Sequence, residues 1–426
     1  MSPAVWERSR LKYVADCNRH VLSESTCDDR TFKYVDIGAV GQGTMDIPDD
    51  TTRFGDAPSR ARRLAEPGDI VISTVRTYLR AVATVPETDE KLVFSTGFAV
   101  LHPRAGISRR FFAYVLQGDE FVDKVVANSV GVSYPAITAT DLMSLDLQLP
   151  HVDEQHAIAD YLDHETAQID ALVAKQEELI RHLEERRLTV ITTAALMGLQ
   201  GEEGGEHDFS RWGSSLAVEP WLARSPCSWR MERFKTVCLA REERNVTGTE
   251  MMLSLTVKGH LIDRSTMAIQ QNASDVSIPR YFVARPSDLV VNPMWLIGGA
   301  IGVSDKRGAV SPDYRVFEID TALNPRYLHA VLRSAPYFDQ YKLYTRSNTT
   351  FDRRIKQNDL DNLPLPIPPI DEQRAIVEHI EEQTAQIDVL IAKSEEHIAL
   401  AKERRSALIT AAVTGQIDVR TARKAS

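Results

Sequence analysis

Apolar residues recur at every third or fourth position along two long stretches of the chain. The first carries Ile158, Leu162, Ile169, Leu172, Leu179, Leu183 and Val190, and the second Ile376, Ile380, Ile387, Leu390, Ile398 and Leu408. This spacing predicts helices and, sustained over so many turns, the seam of a coiled coil. A helix of about 45 residues at 1.5 Å per residue spans on the order of 65 Å. Pro150 and the prolines Pro364, Pro366, Pro368 and Pro369 stop whatever precedes each helix, and Asp153 and Asp371 are the expected N-caps. The polar face bearing Glu177, Glu178, Glu184 and Glu185 reads as solvated surface. Elsewhere the pattern shortens. Asp69–Ile72, Phe98–Leu101 and Asp288–Val291 read as strands bounded by Gly, Pro and Asp, while Phe111–Leu116 and Tyr327–Leu332 read as a matching pair of short helices.

The two helical stretches are copies of one another. Asp153-Glu154-Gln155 recurs as Asp371-Glu372-Gln373, and the string TAQID at Thr166–Asp170 recurs at Thr384–Asp388, both at an offset of 218. Glu185-Arg186-Arg187 returns as Glu403-Arg404-Arg405, and about half of the positions from 149 to 195 are identical to their counterparts without a gap. Upstream the repeat weakens and its offset drifts. Pro67–Val71 aligns with Pro286–Val290, and Pro3 and Trp6 align with Pro226 and Trp229. Each half is therefore a divergent module followed by a nearly invariant helix. The expected organisation is a module at 1–150, a helix at 151–200, a Gly-rich acidic linker at 201–225, a second module at 226–368 and a second helix at 369–426. The modules are α+β with mixed sheets.

Composition adjusts this picture in one respect. The chain has 426 residues and a net charge of −10, which taken alone argues against a nucleic-acid binder. The negative charge is concentrated, however. Residues 151–200 carry −6 and the linker −3, whereas the second module carries +4. Arginines cluster in both modules among tyrosines, serines and asparagines, the chemistry of phosphate and base-edge contact. Arg60, Arg63, Arg76, Tyr78 and Ser133 are the candidates in the first module, and Arg346, Asn348 and Arg353 in the second. No run of 18 apolar residues suggests a membrane span, the first residues lack a secretory pattern, and four scattered cysteines predict reduced thiols in the cytoplasm. Phosphate-loop, zinc-protease, nucleophile-elbow and dinucleotide motifs are missing. Asn292-Pro293-Met294-Trp295 resembles the N-P-P-aromatic motif of amino-methyltransferases, but Met294 replaces the second proline and its repeat partner Ser73–Arg76 lacks the motif. A buried turn after a strand is the expected reading.

The order of module, proline-rich strand, DEQRAI at Asp371–Ile376, TAQID, ERR and AAVTGQIDVR at Ala411–Arg420, with PHVDEQHAI at Pro150–Ile158 in the first half, resembles the specificity subunit of type I restriction-modification systems. The resemblance covers the whole chain. It implies two target-recognition domains, each reading half of a bipartite site on double-stranded DNA, separated by two long helices packed as an antiparallel coiled coil with pseudo-twofold symmetry. Ile158, Leu162, Ile169, Leu172, Leu183, Ile376, Ile380, Ile387, Leu390 and Ile398 then belong to the interface helices. It further implies a noncatalytic chain, active in phage defence, that binds no cofactor or metal itself. Two modification subunits would use S-adenosylmethionine, and restriction subunits ATP and Mg2+. The helix ends differ between the copies: Ala195–Leu199 faces Val413–Ile417, which leaves the structure there open. The competing reading is a coiled-coil scaffold joining two protein-binding modules, against which the arginine clusters weigh.

Overall fold

Two helices, Val152–Met197 and Ile370–Val413, run unbroken for 46 and 44 residues in the computed structural model, which describes residues 6–131, 134–199, 207, 209, 212, 225–267, 278–344 and 354–419. Asp153 and Asp371 do not cap these helices. The His151 carbonyl accepts from the Gln155 N–H and the Pro369 carbonyl from the Gln373 N–H, both at 3.0 Å, so each aspartate already lies within the first turn. There it still complements the positive end of the helix dipole.

The seam also differs from the one expected. Leu172 and Leu390 are each 48% exposed. The positions turned away from solvent are Ile169, Val173, Gln176, Ile180 and Leu183 on one helix and Ile387, Ile391, Ser394, Ile398 and Ala401 on the other. Both sets follow a strict four-three-four-three spacing. Leu172 and Leu390 stand one residue off it, about 100° around the helix. The apolar pattern was broad enough to carry two stripes, and the heptad chooses the one containing Gln176 and Ser394.

The chain forms two compact units, and neither coincides with a repeat. One is Met1–Glu177 together with Glu395–Ser426, and the other is Glu178–Ser394. Each unit holds one module, the first part of the helix that follows it, and the last part of the other helix.

In the first unit a four-stranded antiparallel sheet has the order Ala15–Cys17, Phe98–Pro103, Ile70–Ser73, Val82–Thr84. A second, five-stranded sheet contains the parallel pair Thr31–Val35 and Leu92–Ser95, so the sheet content is mixed as expected. The N-terminal strand Glu7–Arg10 pairs with Asp146–Leu149, which leads into the long helix. Helix Arg109–Gln117 buries Phe111, Phe112 and Leu116 against Ile158 and Leu162 of the first long helix and Ile409, Ala412 and Val413 of the second. The two long helices run antiparallel here, since Arg405 Nε is 2.9 Å from Asp170 Oδ1 and Lys402 Nζ is 4.0 Å from Glu177.

The second unit repeats this plan. Its four-stranded sheet has the order Cys238–Ala240, Arg315–Ile319, Leu289–Val291, Ile301–Val303. Arg230–Arg233 pairs with Pro364–Ile367, a two-stranded ladder in which prolines are tolerated at an edge. Its core joins Tyr327, Leu328 and Leu332 to Ile376 and Ile380 of the second helix and to Ala194–Leu196 of the first.

Three details explain why the shared motifs are shared. Gln155 is buried, its Oε1 accepting from the Ser108 N–H (2.9 Å) and its Nε2 donating to the Pro150 carbonyl (3.0 Å). Gln373 does the same with the Asn324 N–H (2.7 Å) and the Pro368 carbonyl (2.9 Å). Finally, Gly198 and Gly415 both end their helices at φ +74, where a side chain would be strained, under the rings of Trp229 and Trp6 respectively. The differing helix ends thus adopt one cap, displaced by a single residue in the alignment.

Candidate nucleic-acid interface

In the first unit a chain of backbone hydrogen bonds draws several candidate residues onto adjoining loops. The Thr96 N–H donates to the Arg60 carbonyl (2.8 Å), the Thr74 N–H to the Gly97 carbonyl (2.8 Å), and the Ile137 N–H to the Thr74 carbonyl (2.9 Å). Arg60, Arg76 and Tyr78 all sit exposed on this rim. The Arg76 guanidinium lies 4.9 Å from the centroid of the Tyr134 ring, which is itself 65% exposed. Neither Arg60 nor Arg76 has a carboxylate partner among the described residues.

Other arginines of the cluster are committed elsewhere. Arg53 pairs with Asp29, and Arg62 lies 4.8 Å over the Phe54 ring. Arg80 pairs with Asp119 and, at 2.6 Å, with Asp123. Arg63 does not join the rim. It belongs to the strand Ala61–Leu64, where a register shift turns it half-buried, with its Nε enclosed and unpaired among the described residues. Its charge lies close enough to Cys17 to oppose the upward push that burial gives that thiol. Ser133, Arg346, Asn348 and Arg353 lie outside the described residues.

The second unit builds its rim on the same bond. The Ile355 N–H donates to the Pro293 carbonyl at 3.2 Å, and Ile355 and Pro293 are the repeat partners of Ile137 and Thr74. The turn Asn292–Trp295 is not fully buried: Pro293 is, but Met294 is 36% and Trp295 51% exposed. Asn292 Oδ1 accepts from the Met294 N–H (3.1 Å), so the amide shapes the turn and does not stand free to hold a substrate amine.

Beneath this turn Arg315 faces Val291 across the sheet. Its Nη1 is enclosed without a partner among the described residues. Burial first, and the nearby Arg354 second, lower its pKa from the usual guanidinium value. Arg354 is 3.6 Å from Asp313 and half exposed. Two cations so placed favour an anion beside them. Elsewhere in this unit Arg285 and Arg307 are neutralised by Glu243 and Glu250 at 2.8–3.0 Å. Sequence reasoning set Trp295 aside as part of a decoy motif. The signal that it occupies the same turn as Arg76 was the alignment of Ser73–Arg76 with Asn292–Trp295.

Residues 3–181 match the family described as type I restriction modification DNA specificity domain. Over this stretch the chain is similar to type I specificity subunits. It is 22% identical over 328 residues to the type I restriction enzyme EcoBI specificity subunit of Escherichia coli, covering 73% of this chain and 66% of that one. It is 23% identical over 323 residues to the EcoDI specificity subunit of the same species, covering 73% and 70%. The matches thus span about two thirds of these relatives' lengths. A solved chain from a study of complex assembly and conformational transition in a type I R-M system shares the fold, with a TM-score of 0.62 at 22% identity over 96% of this chain and 98% of that one. Among the described residues, no helix is long and apolar enough to cross a membrane.

Proposed function

We propose that this chain is a specificity subunit that reads a bipartite site on double-stranded DNA, each unit taking one half-site through its loop rim. The observation that carries this is the repeated rim itself. Two units of one plan tie equivalent turns to equivalent loops with the same hydrogen bond, yet present different side chains there. A common scaffold with divergent tips is what two different half-sites require. Exposed arginines without carboxylate partners supply phosphate and base contacts. A chain at −10 can still bind DNA when partner subunits share the phosphate contacts, because counterion release sums over the complex.

The long helices are the natural seat for those partners, two modification subunits and the restriction subunits. The chain itself is noncatalytic in this reading. S-adenosylmethionine, ATP and Mg2+ belong to the partners, and the complex works in the cytoplasm. To test this, the complex with modification subunits is used to select duplexes from a random library. Enrichment of two short motifs at a fixed gap is expected; a pool without sequence preference refutes the proposal.

A further inference from the structure

Resting on the DNA-reading proposal, we infer that the turn after the central strand of each four-stranded sheet sets half-site specificity, through Arg76 in the first unit and Trp295 in the second. The two turns follow Ile70–Ser73 and Leu289–Val291. Each is tied at its base by the equivalent bond, Ile137 to Thr74 and Ile355 to Pro293. The scaffold is common; the side chains it displays are opposite in character.

In the first unit the turn is rigid and strained. Arg76 and Arg80 flank the 3-10 segment Thr77–Leu79 at φ 50 and 54, left-handed values that a side chain disfavours. Such a conformation persists only where its surroundings over-determine it. Here Thr77, 3% exposed, has its Oγ1 2.8 Å from Ser129 Oγ, and Arg80 is anchored by Asp119 and Asp123. What the strain secures is display: Tyr78 and Leu79 stand half exposed at the tip. Arg76 lies over the exposed Tyr134 ring, which supports the guanidinium, and its N–H fork has no carboxylate partner among the described residues. A fork held in this way matches the O6 and N7 acceptors of guanine.

In the second unit the turn closes on itself. The Trp295 N–H donates to the Asn292 carbonyl, and the Ala300 N–H to the Trp295 carbonyl, both at 3.1 Å. The indole, 51% exposed, has no acceptor and offers an apolar face, with Met294 beside it. Arg315 and Arg354 behind it supply the phosphate contact that such a face lacks. An apolar face against a base edge selects the thymine methyl. The first half-site therefore carries a G·C pair read by Arg76, and the second an A·T pair read by Trp295.

The test uses the complex with modification subunits and a duplex library randomised across both half-sites. Arg76→Lys keeps the charge and loses the fork. It is expected to reduce preference at one G·C pair by about 10- to 100-fold and to leave the other half-site unchanged. Trp295→Ala is expected to reduce preference at one A·T pair of the other half-site by about 10-fold, with Trp295→Phe intermediate. Thermal midpoints matching the unsubstituted complex establish that the variants are folded. If that complex selects a bipartite motif and the variants select the same one, the inference is overturned and DNA reading stands. Equal loss at all positions with an unchanged midpoint also overturns it, because the residues are then phosphate or packing contacts. If the unsubstituted complex selects nothing, DNA reading itself fails.

Discussion

Replacing Gln155 with Leu should loosen the first unit at the entry to its long helix, and the size of the effect follows from two hydrogen bonds. Gln155 is 2% exposed, and its amide satisfies the Ser108 N–H and the carbonyl of the buried Pro150. Leucine has nearly the same volume but neither donor nor acceptor. Two enclosed backbone groups are orphaned, each at about 1–3 kcal/mol, for a loss near 3 kcal/mol. The added apolar surface returns about 1 kcal/mol. A net cost of about 2 kcal/mol corresponds to roughly 30-fold faster exchange of the Ser108 amide where local opening governs it. Hydrogen exchange read by mass spectrometry on the peptide spanning residues 104–117 measures this, alongside urea unfolding. Gln373→Leu should cost no more, although Gln373 also donates to Ala322 at 3.2 Å. Ala322 is exposed, so water replaces that bond. Asp153→Asn, at a side chain 90% exposed, should stay within about 0.5 kcal/mol. If Gln155→Leu leaves both the Ser108 amide and the urea midpoint unchanged, the shared glutamine is not a structural staple.

Three further outcomes are expected. Ile169→Ala should cost about 2–4 kcal/mol in urea unfolding and Leu172→Ala less than about 0.5, since Ile169 is 6% and Leu172 48% exposed; comparable losses would contradict the heptad seam. His329 is held neutral by burial, its pKa lowered to about 4 from 6.5, with Nδ1 accepting from the Val303 N–H. Between those values the unfolded chain binds the extra proton, so stability falls as pH drops from 6.5 to 4, by on the order of 3 kcal/mol for this group; His329→Gln should flatten that slope, and an unchanged slope would sink the assignment. Matched insertions of seven residues, after Ala174 and after Ala392, keep the heptad and lengthen each helix by about 10 Å, equivalent to about three base pairs of DNA. Mapping of methylated sites in cells should then show the same half-sites at a wider gap, and an unaltered gap would refute a ruler role for the helices.

The sequence made the helices, the duplication and the main strands legible because each rests on a local period or on direct repetition. The seam was misplaced for a physical reason. Leu172 and Ile169 are equally apolar, and only the approach of the partner helix decides which stripe is covered. Asp153 and Asp371 were natural cap candidates by residue type, but the backbone turns two residues earlier, at His151 and Pro369. The rim was half legible. Arg60, Arg76 and Tyr78 stand where arginine-rich polar loops suggested, whereas Arg63 is enclosed by a register shift that composition does not reveal. Trp295 was hidden by a motif resemblance that its repeat partner already contradicted.

The uneven divergence of the two halves has a structural cause beyond sequence reading. Each module is completed by the end of the helix belonging to the other repeat. Trp6 of the first module packs on Gly415, and Asp119 accepts from Ser406 Oγ at 2.8 Å and offers its N–H to Thr410 Oγ1 at 3.0 Å. In the second, Trp229 packs on Gly198 and donates to Glu372 Oε1 at 3.1 Å, while the buried Tyr327 hydroxyl donates to the carbonyls of Ala195 (3.1 Å) and Pro366 (2.9 Å). Each long helix thus answers to its own module at its start and to the other module at its far end. Substitutions at either end must fit a core, whereas a residue at the rim answers only to what it touches outside. It follows that a module can be exchanged without loss of stability only if its contacts to the far helix end travel with it. A chimera replacing residues 1–150 alone should lose about 2–4 kcal/mol wherever the new module lacks partners for Ser406, Thr410 and Gly415. Restoring those three from the donor should recover most of it, and a chimera indifferent to them would show that the interlock is incidental.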